Sequence, residues 1–160
     1  MRKKLLTVFF ALGITSLLNA NGFDTKVSVG ATAAKIGSEN YTQFGVGYTS
    51  NTVLDNDIIL GFGNSLSYGN VRSGVDVTTL DMDLRAGYEL IQNLRAYAIV
   101  TGAYQYLDDS SAFGLGYWPS LEYRLSDNIA VEGTYKTTKM RYSTQDYDYK
   151  TSNIAVKFNF

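Results

Sequence analysis

The chain has 160 residues, 45% of them hydrophobic, with 14 basic and 15 acidic side chains and neither histidine nor cysteine. This length fits one domain, and the balanced charge argues against a nucleic-acid-binding protein, which normally carries a basic surface. The composition also excludes disulfides, thiol catalysis, cysteine-based zinc sites and mechanisms that need a histidine base, so we expect no enzymatic activity, no metal site and no cofactor.

The first twenty residues have the three-part layout of a secretory signal peptide. Basic residues at 2–4 precede an apolar run at 5–18, and the segment ends at Asn19-Ala20. The run is shorter than the roughly 20 residues of a membrane-spanning helix, and no second long apolar run follows, which excludes a bundle of membrane helices. We therefore predict a signal peptide at 1–20, cleavage after Ala20, and one exported domain at 21–160.

After Ala20, apolar and polar residues alternate with the period of two that is typical of strands. The alternation is clearest at 78–90, where Leu80, Met82 and Leu84 are separated by acidic residues. Turn-forming residues recur about every 35 residues and divide the chain into four hairpins. The predicted strands are 24–35, 41–51, 57–68, 77–90, 94–107, 113–125, 129–138 and 149–160.

The predicted connections alternate in length. Those at 52–56, 91–93 and 126–128 are tight, those at 69–76 and 139–148 are long and polar, and those at 36–40 and 108–112 are intermediate. Tight turns on one rim and longer loops on the other are typical of outer-membrane barrels. The predicted fold is all-β, an eight-stranded antiparallel up-and-down transmembrane β-barrel with both chain ends on the periplasmic side.

The tight turn at 91–93 predicts the register of its two strands, because a three-residue turn pairs residues 90 and 94. Glu89 then faces Arg95, a favourable pair of opposite charges. Gly87 faces Tyr97, and an aromatic ring over a strand glycine is a known feature of curved sheets. The sixth strand contains Pro119, which has no N–H to donate to a neighbouring strand. We therefore predict a bulge or an interruption of the strand there.

The polar face of the predicted strands carries charges of both signs. In an eight-stranded barrel the lumen is filled by side chains, so we expect these charges to form a paired internal network. Asp81 and Asp83 are assigned to it rather than to an acid–base dyad. Glu122 faces Glu132, so this pair needs a nearby base, and Arg124 lies diagonal to Glu132. The predicted lumen charges are Asp81, Asp83, Arg85, Glu89, Arg95, Glu122, Arg124, Glu132, Lys136 and Lys157.

Aromatic residues on the apolar face lie near the strand ends and predict two girdles at the membrane boundaries. The girdle at the tight-turn rim contains Tyr48, Tyr88, Tyr123, Phe158 and Phe160. The girdle at the loop rim contains Tyr68, Tyr104, Tyr106, Phe113 and Tyr135. The polar loop after the seventh strand, with Lys139, Arg141, Tyr142, Tyr147, Tyr149 and Lys150, is either a plain exposed hairpin tip or a contact for lipopolysaccharide phosphates.

The chain ends with a polar residue, a small residue two positions later, and two alternating aromatics. This pattern resembles the C-terminal assembly signal of bacterial outer-membrane barrels, with Asn153, Ala155, Phe158 and Phe160 at the signal positions. The family pattern prefers glycine where Ala155 stands. The resemblance implies that the barrel-assembly machinery reads the two phenylalanines before the last strand is paired.

Over residues 24–160 the chain resembles the small eight-stranded outer-membrane proteins, the family that includes OmpX and the transmembrane domain of OmpA. The resemblance implies a monomer in the bacterial outer membrane, in contact with lipid and lipopolysaccharide, with a structural, adhesion-like or defence-like role. An unidentified surface ligand would bind the external loops. Two alternatives stay open: a narrow pore for small solutes, and a soluble exported barrel with an apolar ligand inside.

Overall fold

A computed structural model of the chain describes residues 23–54, 57–72, 74–108, 110–142 and 145–159. Each strand is antiparallel to its neighbours in sequence, and the last strand pairs with the first, which closes a barrel. The strands are β1 (Asp24–Ile36), β2 (Glu39–Val53), β3 (Ile58–Arg72), β4 (Val75–Ile91), β5 (Leu94–Leu107), β6 (Ser110–Arg124), β7 (Ile129–Tyr142) and β8 (Gln145–Asn159). The predicted fold is confirmed. The predicted cleavage site lies outside the described residues.

The strands are longer than a membrane crossing requires. Paired residues followed once around the barrel from Lys26 lead back to β1 at Ile36, ten positions further along (36 − 26). Such an offset makes the strands tilt by about 35–45° from the barrel axis. The strands have 13 to 17 residues, whereas about 9–11 tilted residues cross the apolar core of a membrane. The barrel therefore extends beyond the membrane core. Within the described ranges, no helix has the length and apolar character needed to cross a membrane.

The two rims of the barrel differ from the predicted pattern of connections. The rim at which β1 begins and β8 ends, here called the terminal rim, has connections at 54–57, 92–93 and 125–128. At the opposite rim, here called the hairpin rim, the strands are joined by residues 37–38, 73–74, 108–109 and 143–144. The prediction of long loops at 69–76 and 139–148 is therefore wrong, because the strands continue through most of both segments.

The strand pairing follows the register that the tight turns predict. Glu89 is paired with Arg95, and Gly87 with Tyr97. A Cβ atom on Gly87 would lie 2.3 Å from Cδ1 of Tyr97, so the ring rests directly over the glycine. The turn itself is one residue shorter than predicted. Ile91 pairs with Leu94, and a bulge after Glu89 absorbs the extra residue.

Pro119 changes the ladder but not the register. Its side chain is exposed and that of Ser120 is buried, so the alternation of β6 continues through the proline. The pairing with β5 is unbroken, whereas the ladder to β7 lacks partners at 118–119 and resumes in the same register. The predicted interruption thus occurs on one side only and without a bulge. The missing N–H is accommodated where the ladder to β7 opens.

Candidate functional site

The centre of the lumen holds a compact group of charges, the central cluster: Lys26, Arg85, Glu122, Glu132 and Lys157. Glu122 accepts hydrogen bonds from Lys26 at 2.7 Å and from Lys157 at 3.0 Å. Arg85 donates to both carboxylate oxygens of Glu132, at 3.0 and 3.1 Å, and Lys157 also contacts Glu132. All five side chains are buried. The base that the facing pair of glutamates needs is therefore supplied by Lys26, Arg85 and Lys157.

A second group of charges, the rim cluster of Asp24, Glu89, Arg95 and Arg124, lies towards the terminal rim. Arg95 donates to Asp24 at 2.9 Å and to Glu89 at 3.1 Å, and Arg124 donates to Glu89 at 2.9 Å. Arg124 is diagonal to Glu132 in the strand register, as predicted, but its side chain binds Glu89 instead. Asp24 and Lys26 were not among the predicted charges. They lie two residues apart at the start of β1, which is the spacing that could have revealed them.

The remaining predicted lumen charges form a small group above the central cluster. Lys136 binds Asp81 and lies 5.2 Å from the ring centre of Trp118 and 5.4 Å from that of Tyr149. Asp81 is thus a salt-bridge partner, and the half-buried Asp83 has no salt-bridge partner in the described chain. Among the residues that the structure covers, no group of acidic side chains is arranged to hold a metal ion.

Above these charges, the lumen is crossed by a layer of uncharged hydrogen bonds. Gln43 and Gln105 both donate to the hydroxyl of Thr79, at 3.2 and 3.0 Å. Tyr147 donates to Gln105 at 2.8 Å, and Tyr149 donates to Gln43. These contacts link β2, β4, β5 and β8 across the barrel. No residue of this layer was predicted to face the lumen, because the prediction relied on charged side chains and these amides and hydroxyls are uncharged.

The hairpin end of the lumen is closed by an apolar cluster, here called the apolar cap. Its buried members are Ala34, Tyr41, Val77, Ala103, Ala112, Met140 and Tyr149, with Ile36, Val71, Leu107 and Tyr147 packed against them. The charge network that we expected in the lumen therefore does not extend to this end, which is apolar. Outward neighbours such as Lys139 and Arg141 are exposed. Near the terminal rim the barrel thus has a polar interior and an apolar outer face, as membrane barrels do. At the hairpin rim it has an apolar interior and a charged outer face, as water-soluble proteins do.

A cavity of about 90 Å³ lies beside the lumen charges. Glycine, serine and threonine residues of β1, β2 and β3 line one side, and Arg85, Glu132 and Lys136 line the other. A polar cavity of this size has room for a few water molecules, which need polar partners. Several lining atoms, including Oδ1 of Asp81, Oδ1 of Asp83 and Oγ1 of Thr134, are buried without a partner among the described residues. The cavity is suited to water rather than to an organic ligand.

The outward face of the barrel is apolar and aromatic. Val29, Leu84, Val100 and Ile154 are exposed there, as expected for a surface in contact with lipid. The predicted girdle tyrosines Tyr68, Tyr88, Tyr104, Tyr106, Tyr123 and Tyr135 are also exposed. Tyr48 differs: only 2% of its surface is accessible, and its ring packs against Phe62, with the centroids 6.4 Å apart. Tyr48 is therefore wrongly placed in the girdle, because its neighbours cover it.

The residues that resemble the C-terminal assembly signal of outer-membrane barrels are divided between the two faces of β8. Asn153 points inward and donates to the hydroxyl of Thr32 at 2.7 Å. Ala155 pairs with Gly30, where a Cβ atom would lie 3.0 Å from that of Ala155. Phe158 is exposed on the outward face. Phe160 lies outside the described residues.

A comparison with known protein families shows to which family the chain belongs. The family model of the outer membrane protein beta-barrel domain matches residues 5–160. The chain belongs to this family. It is therefore a β-barrel of the bacterial outer membrane. The alternative of a soluble exported barrel is wrong, since large apolar side chains such as Leu84, Val100 and Ile154 point outward from the barrel. No curated protein matches the sequence.

Solved structures show the same barrel at low sequence identity. Neisserial surface protein A is 13% identical, with a TM-score of 0.64, and the match covers 88% of this chain and 98% of that one. Ail, the attachment invasion locus protein of Yersinia pestis, is 13% identical, with a TM-score of 0.66 and coverage of 88% and 100%. A transmembrane β-barrel designed de novo is 16% identical, with a TM-score of 0.51 and coverage of 89% and 98%. These likenesses show the fold alone.

Proposed function

We propose that this member of the outer membrane protein beta-barrel family is a closed, non-conducting and non-catalytic barrel whose role is structural or lies at the cell surface. The filled lumen carries the proposal. From the terminal rim to the hairpin rim it contains the rim cluster, the central cluster, the layer of amides and hydroxyls, and the apolar cap. An apolar plug opposes the entry of hydrated ions and polar solutes, because either would lose its water there without replacement partners.

The part of the barrel that faces the cell exterior is the hairpin rim in this proposal. Charged side chains such as Lys139, Arg141, Asp146 and Asp148 are exposed on its outer surface. Because the connections there span two positions each, a surface partner would contact the strand ends themselves rather than long loops. The relatives in structure are named as a surface protein and an attachment protein, which is in keeping with a role at the surface.

The proposed partners follow from this placement. Lipid and lipopolysaccharide surround the outward face, and the chain acts as a monomer. During insertion, the barrel-assembly machinery would read Phe158 and Phe160 while β8 is unpaired. Asn153 and Ala155 would then settle against β1, where they lie in the folded barrel.

Conductance in planar lipid bilayers tests whether the lumen is closed. We expect the wild-type protein to show no defined current steps. A gel run with and without boiling serves as the folding control, because a closed membrane barrel resists SDS until it is heated and then changes its mobility. Reproducible steps from heat-shifting material would support the narrow pore instead and would overturn the closed barrel.

Surface exposure of the hairpin rim is tested by single cysteines, for which the chain is well suited because it contains none. Ser111 is exposed near the hairpin rim and Ser126 is exposed in a turn of the terminal rim. We expect a membrane-impermeant maleimide to label Ser111→Cys on intact cells, and to label Ser126→Cys only after the outer membrane is permeabilised. The reverse pattern would place the terminal rim outside the cell and contradict the proposal.

A further inference from the structure

Two lysines of different strands lie side by side on the outward face. Lys150 of β8 and Lys35 of β1 are paired across the strand seam that closes the barrel, and both side chains are exposed. Neither has a carboxylate within 4.0 Å in the parts of the chain that the structure describes, whereas the nearby Arg141 binds Asp146 at 3.3 Å. Like charges placed directly opposite each other are unfavourable. An anion between the two ammonium groups would remove this cost.

A groove of about 480 Å³ begins at these lysines and runs below them. We call it the outer groove. Small side chains of Ala33 and Ser152, a cross-strand pair, lie beside Tyr135 of β7 and Thr42 of β2. These small side chains leave the space that the groove occupies, and the tyrosine ring lies along one edge.

The outer groove lies where the apolar surface ends. Further towards the terminal rim, the same seam presents Ile154 beside Ala31 and Val156 beside Val29, and of these four Val29 and Ile154 are large, exposed hydrophobic residues. The seam therefore changes along its length from apolar, through small and weakly polar, to a pair of cations. This order matches a lipid, whose acyl chains lie in the membrane core and whose headgroup lies at its surface.

We propose that the outer groove and the two lysines bind a phosphorylated glycolipid of the outer leaflet, lipopolysaccharide. Its phosphate lies between the ammonium groups of Lys35 and Lys150, and one acyl chain lies in the groove beside Tyr135. Charge-assisted hydrogen bonds to phosphate are among the strongest that proteins form. The proposal rests on the outward exposure of the hairpin rim, but not on whether the lumen is closed.

Lipid retention measured by native mass spectrometry tests this site. Purified protein is titrated with diphosphorylated lipid A, with dephosphorylated lipid A and with phosphatidylglycerol. We expect diphosphorylated lipid A to bind most tightly. The double variant Lys35→Gln/Lys150→Gln is expected to lower the affinity for this lipid roughly 30-fold, because each lysine near a lipid surface raises the affinity about fivefold. Ala33→Phe, which fills the groove and keeps both charges, is also expected to weaken binding.

The matched control is Lys139→Gln, which removes an exposed lysine that faces Asp148 on the same hairpin. It is expected to bind lipid A as the wild type does. The proposal is overturned if the double lysine variant retains wild-type affinity, if Lys139→Gln loses as much, or if phosphatidylglycerol binds as tightly as lipid A. The heat-dependent gel shift of each variant reports folding, and bilayer conductance reports the lumen, so failure of this site is distinguishable from failure of the closed barrel.

Discussion

We expect Glu132→Gln to lower the free energy of unfolding by about 3–5 kcal/mol, the cost of breaking a buried ion pair by removing one partner. Arg85 is buried and donates two hydrogen bonds to Glu132. Within the described chain it has no other carboxylate within 4.0 Å. The hydroxyl of Ser120 loses a charged acceptor at 2.5 Å in the same change. Equilibrium unfolding by urea in lipid vesicles, followed by tryptophan fluorescence, measures the loss.

Asp146→Asn provides the control for this experiment, because it also removes one carboxylate from an arginine on the β7–β8 hairpin. The side chains of Arg141 and Asp146 are 79% and 67% exposed, so their pair is strongly screened by water. We expect a change below about 1 kcal/mol. If both variants lost the same small amount, water in the adjacent cavity would be compensating Arg85, and the central cluster would not hold the strands together.

We expect the double variant Met140→Ala/Tyr149→Ala to open the hairpin end of the lumen. Both side chains are fully buried neighbours in the apolar cap. Tyr149 also donates a hydrogen bond to Gln43, so the change removes one contact of the layer beneath the cap. Each truncation of a large buried side chain costs about 2–5 kcal/mol. The expected results are defined current steps in planar bilayers, where we expect none from the wild type, and a lower resistance to urea.

The control for the cap is Met82→Ala/Tyr106→Ala, which removes the same two residue types from the outward face, where both are exposed. This variant is expected to stay non-conducting. A Met140→Ala/Tyr149→Ala protein that folds, as shown by its heat-dependent gel shift, and yet carries no current would contradict the role of the cap. The seal would then lie in the central cluster.

The alternation of polar and apolar residues was enough to predict the number of strands, their order and much of their register. A strand exposes its side chains to two faces in turn, so the charges at 81, 83 and 85 on β4 had to share one face. The turn predicted at 91–93 then indicated the pairing of Glu89 with Arg95, which the structure contains. These features are local in the sequence, and for that reason a single chain reveals them.

Contacts across the lumen could not be predicted, because they depend on strand tilt and on distances between strands that are far apart in the sequence. Glu122 and Lys26 are 96 positions apart, and only the ten-residue offset of the closed barrel brings them together. Arg124 is diagonal to Glu132 as predicted, but its binding to Glu89, two strands away on β4, could not be read from the sequence. The covering of Tyr48 by its neighbours is likewise a matter of packing.

The hairpin rim shows most clearly where the sequence was insufficient. Segment 139–148 has many charges, and its composition indicated a loop. Its alternation nevertheless continues, with Met140 and Tyr147 inward and charged residues outward. The sequence by itself determined an exported eight-stranded barrel with a charged lumen. Only the tertiary structure decided that the barrel extends past the membrane and closes on an apolar cap, because the solvent that surrounds each part of a strand, lipid or water, decides which of its faces is buried.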